Sequence, residues 1–136
     1  MKKYLTLSLV AVLILASQKA FSQSGKGQIC FIRPGGFTAS AVNFRVYIDG
    51  KLVCKLKNKS YSMHEIDTGY HRVSGRNTGL TLDKGSKPFK VKVEAGKTTC
   101  ISVVLVSNKV MCQEITENSA IEQLKKSKPS INCRGN

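Results

Sequence analysis

From residue 28 onward the chain is built of short segments in which apolar and polar residues alternate with a period of two, the mark of half-buried strands. Gln28 to Arg33 (QICFIR) predicts a first strand, stopped by Pro34-Gly35-Gly36. Between Val42 and Ile48, Phe44, Val46 and Ile48 fall on one face, and Asn43, Arg45 and Tyr47 on the other. Asp49-Gly50 follows, a dipeptide suited to a type I′ hairpin turn, which needs positive φ at both central residues. Leu52, Cys54 and Leu56 then predict a core face, with Lys51, Lys55 and Lys57 outside. Tyr61 to Ile66 and Tyr70 to Ser74 predict a second hairpin across Asp67-Thr68-Gly69, and Leu80-Thr81-Leu82 a short edge strand. Phe89 to Val93 and Thr98 to Val106 complete the set, joined by the Glu94-Ala95-Gly96-Lys97 turn.

About seven short strands at this spacing predict an all-β fold, an antiparallel β-sandwich. Its expected core holds Phe44, Val46, Ile48, Leu52, Leu56, Ile101, Val103 and Leu105. Past residue 107 the pattern changes. Ser119 to Lys126 predicts a short C-terminal helix, with Ser119 and Glu122 spaced as a capping box and Lys125, Lys126 and Lys128 at the negative end of its dipole. Ile121 and Leu124 would form its buried stripe, and Pro129 ends it. The expected division is a sandwich over residues 23–107 and a tail over 108–136 that clasps it.

The first 22 residues follow neither period. Lys2 and Lys3 precede an almost unbroken apolar run from Leu5 to Ala16, and Ala20 and Ser22 flank Phe21 before Gln23. A signal peptide carries an apolar run of about 7–15 residues, whereas a membrane-spanning helix needs about 20. The reading is a signal peptide over residues 1–22, cleaved near Ser22. Cys30 lies too far on for a lipobox, and no later segment approaches spanning length. The expected location is therefore secreted or periplasmic, with no transmembrane segment in the mature chain.

The stretch from Gln28 to Leu105 resembles a bacterial family of exported domains of unknown function. The resemblance rests on Arg33-Pro34, Val46 to Lys51 (VYIDGK), Tyr61 to Ile66, Gly69-Tyr70-His71-Arg72-Val73 and Ala95 to Thr98 (AGKT). Thr68 stands where that family frequently has Pro. Similar strings occur in PEGA-like and carboxypeptidase-regulatory-like sandwiches. The resemblance implies a transthyretin-like β-sandwich and brings no activity with it.

Charge narrows the partners. Lysine and arginine number 22 against 8 acids, for a net charge of +14. Removing residues 1–22 takes away Lys2, Lys3 and Lys19 and no acid, which leaves +11 on 114 residues. Such a domain is attracted to acidic polysaccharide, phosphorylated glycolipid or phospholipid headgroups. Export removes nucleic acid from the expected partners. Lys51, Lys55, Lys57, Lys90 and Lys92 form the candidate anion-binding surface, on the condition that their two hairpins share one sheet face.

Candidate chemistry is sparse. His64-Glu65 begins like H-E-x-x-H, but Thr68 occupies the second His position and the run is strand-like, where that motif needs a helix. In a hairpin, His64 would oppose Val73 and His71 would oppose Ile66, both rings facing the core. Two ligands without a third make no zinc site, so no metal is expected. Thr98-Thr99-Cys100 resembles the nucleophile strand of sortases, yet no Arg follows until Arg134. There is no G-x-S-x-G, no phosphate-cradling glycine loop and no carboxylate pair, hence no expected catalytic residue or cofactor. Pro34 to Asn43 is the longest irregular stretch, and loops on rigid scaffolds commonly carry binding sites.

Five cysteines remain after cleavage: Cys30, Cys54, Cys100, Cys112 and Cys133. Export permits disulfides. Cys112 and Cys133 bracket the helix and are the expected pair. Cys30 and Cys100 would meet if the first and last strands are neighbours, and Cys54 would be a buried free thiol. Three functions follow: a non-catalytic envelope module binding a protein or glycan; an electrostatic binder of anionic envelope surface, lipid or polysaccharide; and a Cys/His-dependent enzyme.

Overall fold

The alternating segments pair into two stacked sheets. The computed structural model describes residues 25–78 and 86–133. Its strands are β1 (Lys26–Arg33), β2 (Phe44–Ile48), β3 (Lys51–Leu56), β4 (Ser60–Asp67), β5 (Gly69–Asn77), β6 (Phe89–Val93), β7 (Thr98–Val106), β8 (Lys109–Ile115) and β9 (Lys128–Pro129). One helix, α1 (Glu117–Lys125), lies between β8 and β9. The first sheet has the order β8-β7-β1-β4-β9 and the second β3-β2-β5-β6. The strands thus number nine among the described residues, the two beyond expectation being β8 and β9. The expected signal peptide, the Leu80 to Leu82 strand and Arg134 lie outside the described residues. No helix among the described residues is long and apolar enough to cross a membrane.

The β2–β3 hairpin forms as read, with Asp49 at φ 50° and Gly50 at φ 78°. The other two expected hairpins do not form. β4 and β5 lie in different sheets, as do β6 and β7, so both turns carry the chain across the sandwich. The cause is β1. Ile29, Cys30, Phe31 and Ile32 are all fully buried, so this strand needs cover on both faces. It takes the place beside β4, in register Arg33↔Ser60, that β5 would have filled. On its other side β1 runs parallel to β7, so the first sheet is mixed and not purely antiparallel.

Between the sheets, Ile29, Phe31, Phe44, Val46, Ile48, Leu56, Val73, Ile101 and Val103 form the main core, with Leu105 half-buried against it. Leu52 is the exception to the expected list. The register slips between Val46 and Tyr47, so Tyr47 pairs with Leu52 while Val46 pairs with Cys54. Val53 is the extra residue of a β-bulge, and Leu52 turns to the outer face beside Tyr47. At Gly75 the sheets approach so closely that a Cβ would lie 2.7 Å from Val110 Cγ1 and 3.0 Å from Cys112 Sγ.

A second, smaller core lies on the outer side of the first sheet. Cys30, Ile32 and Ala120 are buried there, with Tyr61, Cys100, Ile115 and Leu124 packed around them. The helix begins two residues before its expected start, capped by Thr116, whose side chain accepts from the Ser119 amide at 3.4 Å. That shift turns Ala120 and Leu124 inward and leaves Ile121 exposed, contrary to the expected Ile121–Leu124 stripe.

The tail closes one side of the sandwich. β9 pairs with β4 in parallel, and Asn132 accepts a hydrogen bond from the Lys55 amide at 3.1 Å. Cys133 then forms a disulfide with Cys54, 79 residues away in sequence. This corrects both the expected Cys112–Cys133 bridge and the free Cys54. Cys133 is seated against β3, at an edge of the second sheet, while Cys112 lies on β8, at an edge of the first, and remains a free thiol. β8 pairs with β7 in the first sheet, and the tail is joined to both sheets.

Candidate functional site

With α1 covering the first sheet, the outer face of the second sheet is the broad strand surface that α1 does not reach. Directly opposed residues on antiparallel strands point to the same side, so the register defines this face. Lys55, Arg45 and Arg76 form one row across β3, β2 and β5. Leu52, Tyr47 and Ser74 form the next. Arg72 then opposes Lys90, and Tyr70 opposes Lys92, across β5 and β6. Six cations and two tyrosines thus share one face.

The rings and charges interleave. Lys90 Nζ stands 4.3 Å from the Tyr70 ring centroid and the Arg76 guanidinium 5.8 Å from that of Tyr47. Arg45 Nε is buried without a hydrogen-bond partner among the described residues. Glu94 meets the patch only at its rim, 3.4 Å from Lys92, and is shared with Lys97 at 2.6 Å. A cleft of about 460 Å³ runs beside the Lys55 row, lined by Asn43, Leu52, Val53, Asn132 and the disulfide.

Of the five lysines expected to form an anion-binding surface, Lys55, Lys90 and Lys92 meet on this face. Lys51 pairs with the inward-facing Ile48 and stands at the rim, and Lys57 lies past the end of β3 on the turn into β4. Arg45, Arg72, Arg76, Tyr47 and Tyr70 were missing from the expected set. Their signal was present in the sequence as outward positions of β2 and β5, but which strands share a sheet is not a property of any one strand.

The histidines stand apart. His71 is in the second sheet, where Nδ1 contacts Asp49 Oδ2 at 2.7 Å and Nε2 the Asp67 carbonyl at 2.8 Å. Both partners accept, so the arrangement favours the doubly protonated ring. Partial burial pulls its pKa down, but the bonds to Asp49 and the Asp67 carbonyl outweigh this and raise it. Asp49 also accepts from the Arg72 amide at 2.9 Å, and that bond with the one from His71 lowers its pKa. His64 faces the main core from the first sheet, 2.9 Å from Ser62 Oγ, its pKa lowered by burial.

Cys100 lies in register with Cys30 on the opposite side of the first sheet from His64. The Cys/His pairing of the enzyme reading is therefore not made. Burial raises the thiol pKa of Cys100 and, reinforced by Cys100, pushes that of Cys30 up to about 12. Among the described residues no group of three or more His, Cys, Asp or Glu converges as a metal site would require.

A family model described as "Protein of unknown function (DUF2846)" matches residues 23–114. No curated protein and no solved structure matches the chain.

Proposed function

The chain belongs to the DUF2846 family, and from that premise we propose that it is an exported, non-catalytic module that binds an acidic glycan of the cell envelope through the outer face of its second sheet. The observation that carries this reading is the row Lys55–Arg45–Arg76, three cations abreast, continued by Arg72–Lys90. Guanidinium groups grip carboxylate or sulfate oxygens in pairs, and lysines add point charge. Tyr47 and Tyr70 offer flat apolar surfaces with polar tips, suited to the C–H faces of sugar rings lying between the charges. A flat, open strand face fits an extended polymer better than a small ligand, which needs a pocket that encloses most of its surface.

The test is retention of the purified protein on immobilised polygalacturonate, compared with neutral dextran. Retention on the acidic resin, lost as salt rises, is expected, since exposed charges are screened within about 10 Å at 0.1 M salt. Arg72→Gln with Lys90→Gln should elute at clearly lower salt. Equal retention on both resins, or unchanged elution of this variant, overturns the reading.

A further inference from the structure

One end of the sandwich carries a second surface of different chemistry. Phe37 and Ile131 are its most solvent-exposed large apolar side chains, at 102% and 87% of full exposure. They sit on different segments that the fold ties together. Asn58, on the β3–β4 turn, bonds the Gly36 amide at 3.3 Å and the Gly36 carbonyl at 3.2 Å, and the Lys128 amide donates to the Lys59 carbonyl at 2.9 Å. Lys59 stands beside both, and Lys57, Lys126 and Lys128 join it around Ile131, all exposed, in a cleft of about 450 Å³ between the turn and the tail with no acid in its lining.

The Phe37 loop is held from beneath. The Arg33 side chain, buried at 2% exposure, donates to the carbonyls of Val42, Leu56 and Ala39, and its guanidinium stacks 3.6 Å over the Phe44 ring. Burial lowers its pKa to about 10, so it stays charged at neutral pH. Apolar side chains held out beside exposed lysines fit a surface with fixed negative charge outside and hydrocarbon just within.

We propose that this end docks on an anionic lipid bilayer, with Phe37 and Ile131 entering between headgroups and the four lysines facing the phosphates. Amphipathic burial combined with attraction to anionic lipid is how proteins rest on a membrane without spanning it. A protein partner would call for a contiguous apolar patch, whereas here the two apolar groups are separated by charge. The surface is distinct from the second-sheet face, so the two proposals stand or fall separately.

The experiment is co-sedimentation with vesicles of phosphatidylglycerol and phosphatidylcholine, compared with phosphatidylcholine alone. Binding to the anionic vesicles only is expected. Phe37→Ser and Ile131→Ser should each weaken it roughly tenfold. Lys59→Gln with Lys128→Gln should weaken it by about five-fold for each charge lost. Arg72→Gln with Lys90→Gln, on the other face, should leave it unchanged. The chain has no tryptophan, so Phe37→Trp supplies a single reporter whose emission should shift to the blue on anionic vesicles and be quenched by brominated acyl chains. Equal binding to both vesicle types, no effect of the two serine variants, or an unshifted emission from the Phe37→Trp variant overturns the proposal. So does a dimer of the free protein that Phe37→Ser dissolves, because the apolar end would then belong to a second copy.

Discussion

Opposed side chains on antiparallel strands stand about 5 Å apart at Cβ, so Lys55, Arg45 and Arg76 repel one another along their row, each like pair costing roughly 0.2–1 kcal/mol. Repulsion that an anionic partner would relieve makes a specific prediction. Lys55→Gln with Arg76→Gln should raise the melting temperature by a few degrees while weakening retention on polygalacturonate. Thermal melts beside column elution check it, and a variant both less stable and unchanged in binding would show the row to be structural. The His71–Asp49 pair predicts the opposite kind of pH dependence at its two ends. The raised pKa of His71 contributes stability in full below about 6.5, its unfolded value, and loses it as pH climbs through the higher folded value. The lowered pKa of Asp49 contributes above about 3.9 and is lost as pH falls through the folded value. His71→Asn should therefore cost more at pH 5.5 than at pH 8.5, by less than about 1 kcal/mol because Asp49 is half exposed. Urea melts at the two pH values measure the difference.

Strands proved more legible than their partners. The alternation in Phe44-Arg45-Val46-Tyr47-Ile48 and the Asp49-Gly50 turn specify a hairpin locally, and that hairpin forms. Pairing of β1 with β4 and β7 depends on residues 35 and 70 positions apart, and no local period records it. The bulge at Val53 is equally silent, since Leu52-Val53-Cys54 is apolar at every position. In the helix, Ser119 and Glu122 mimic a capping box, but Thr116 is the residue placed to bond the Ser119 amide once Ile115 is anchored at the end of β8. Thr116→Ala should cost about 1 kcal/mol, the usual worth of an N-cap, and should lower hydrogen-exchange protection in α1 before that of β1. The tail is a stronger case. A disulfide closing a loop of this length contributes about 4.5 kcal/mol in the chain-entropy model. Cys133→Ser should lower global stability by several kcal/mol and free the β9 pairing at Lys128–Pro129, where the expected Cys112 bridge would have left β3 untouched.

At the scale of the whole molecule the three layers divide the work: a helix, a mixed sheet whose strand β1 is buried on both sides, and a second sheet whose outer face is charged. The charge excess was plain in composition, but its concentration on one face was not. β6 joins β5 and brings Lys90 and Lys92 to the face that holds Lys55, while Lys51, opposite Ile48, and Lys57, past the end of β3, fall away from it, and the arginines of β2 and β5 take the centre. The long span of the Cys54–Cys133 bridge also bears on how the protein is made. A chain synthesised from its N-terminus presents Cys30 and Cys54 first, while the native partner of Cys54 arrives 79 residues later. In the finished fold Cys30 lies under α1 and Cys54 faces the main core from the other sheet, so a bond between them is incompatible with the sandwich. Oxidation ahead of folding is thus a kinetic trap written into the order of the cysteines, one that thiol–disulfide exchange must undo. Oxidative refolding should be slow and improved by a disulfide isomerase. Cys30→Ala should raise the yield of native Cys54–Cys133 protein without one, as counted by non-reducing peptide mapping.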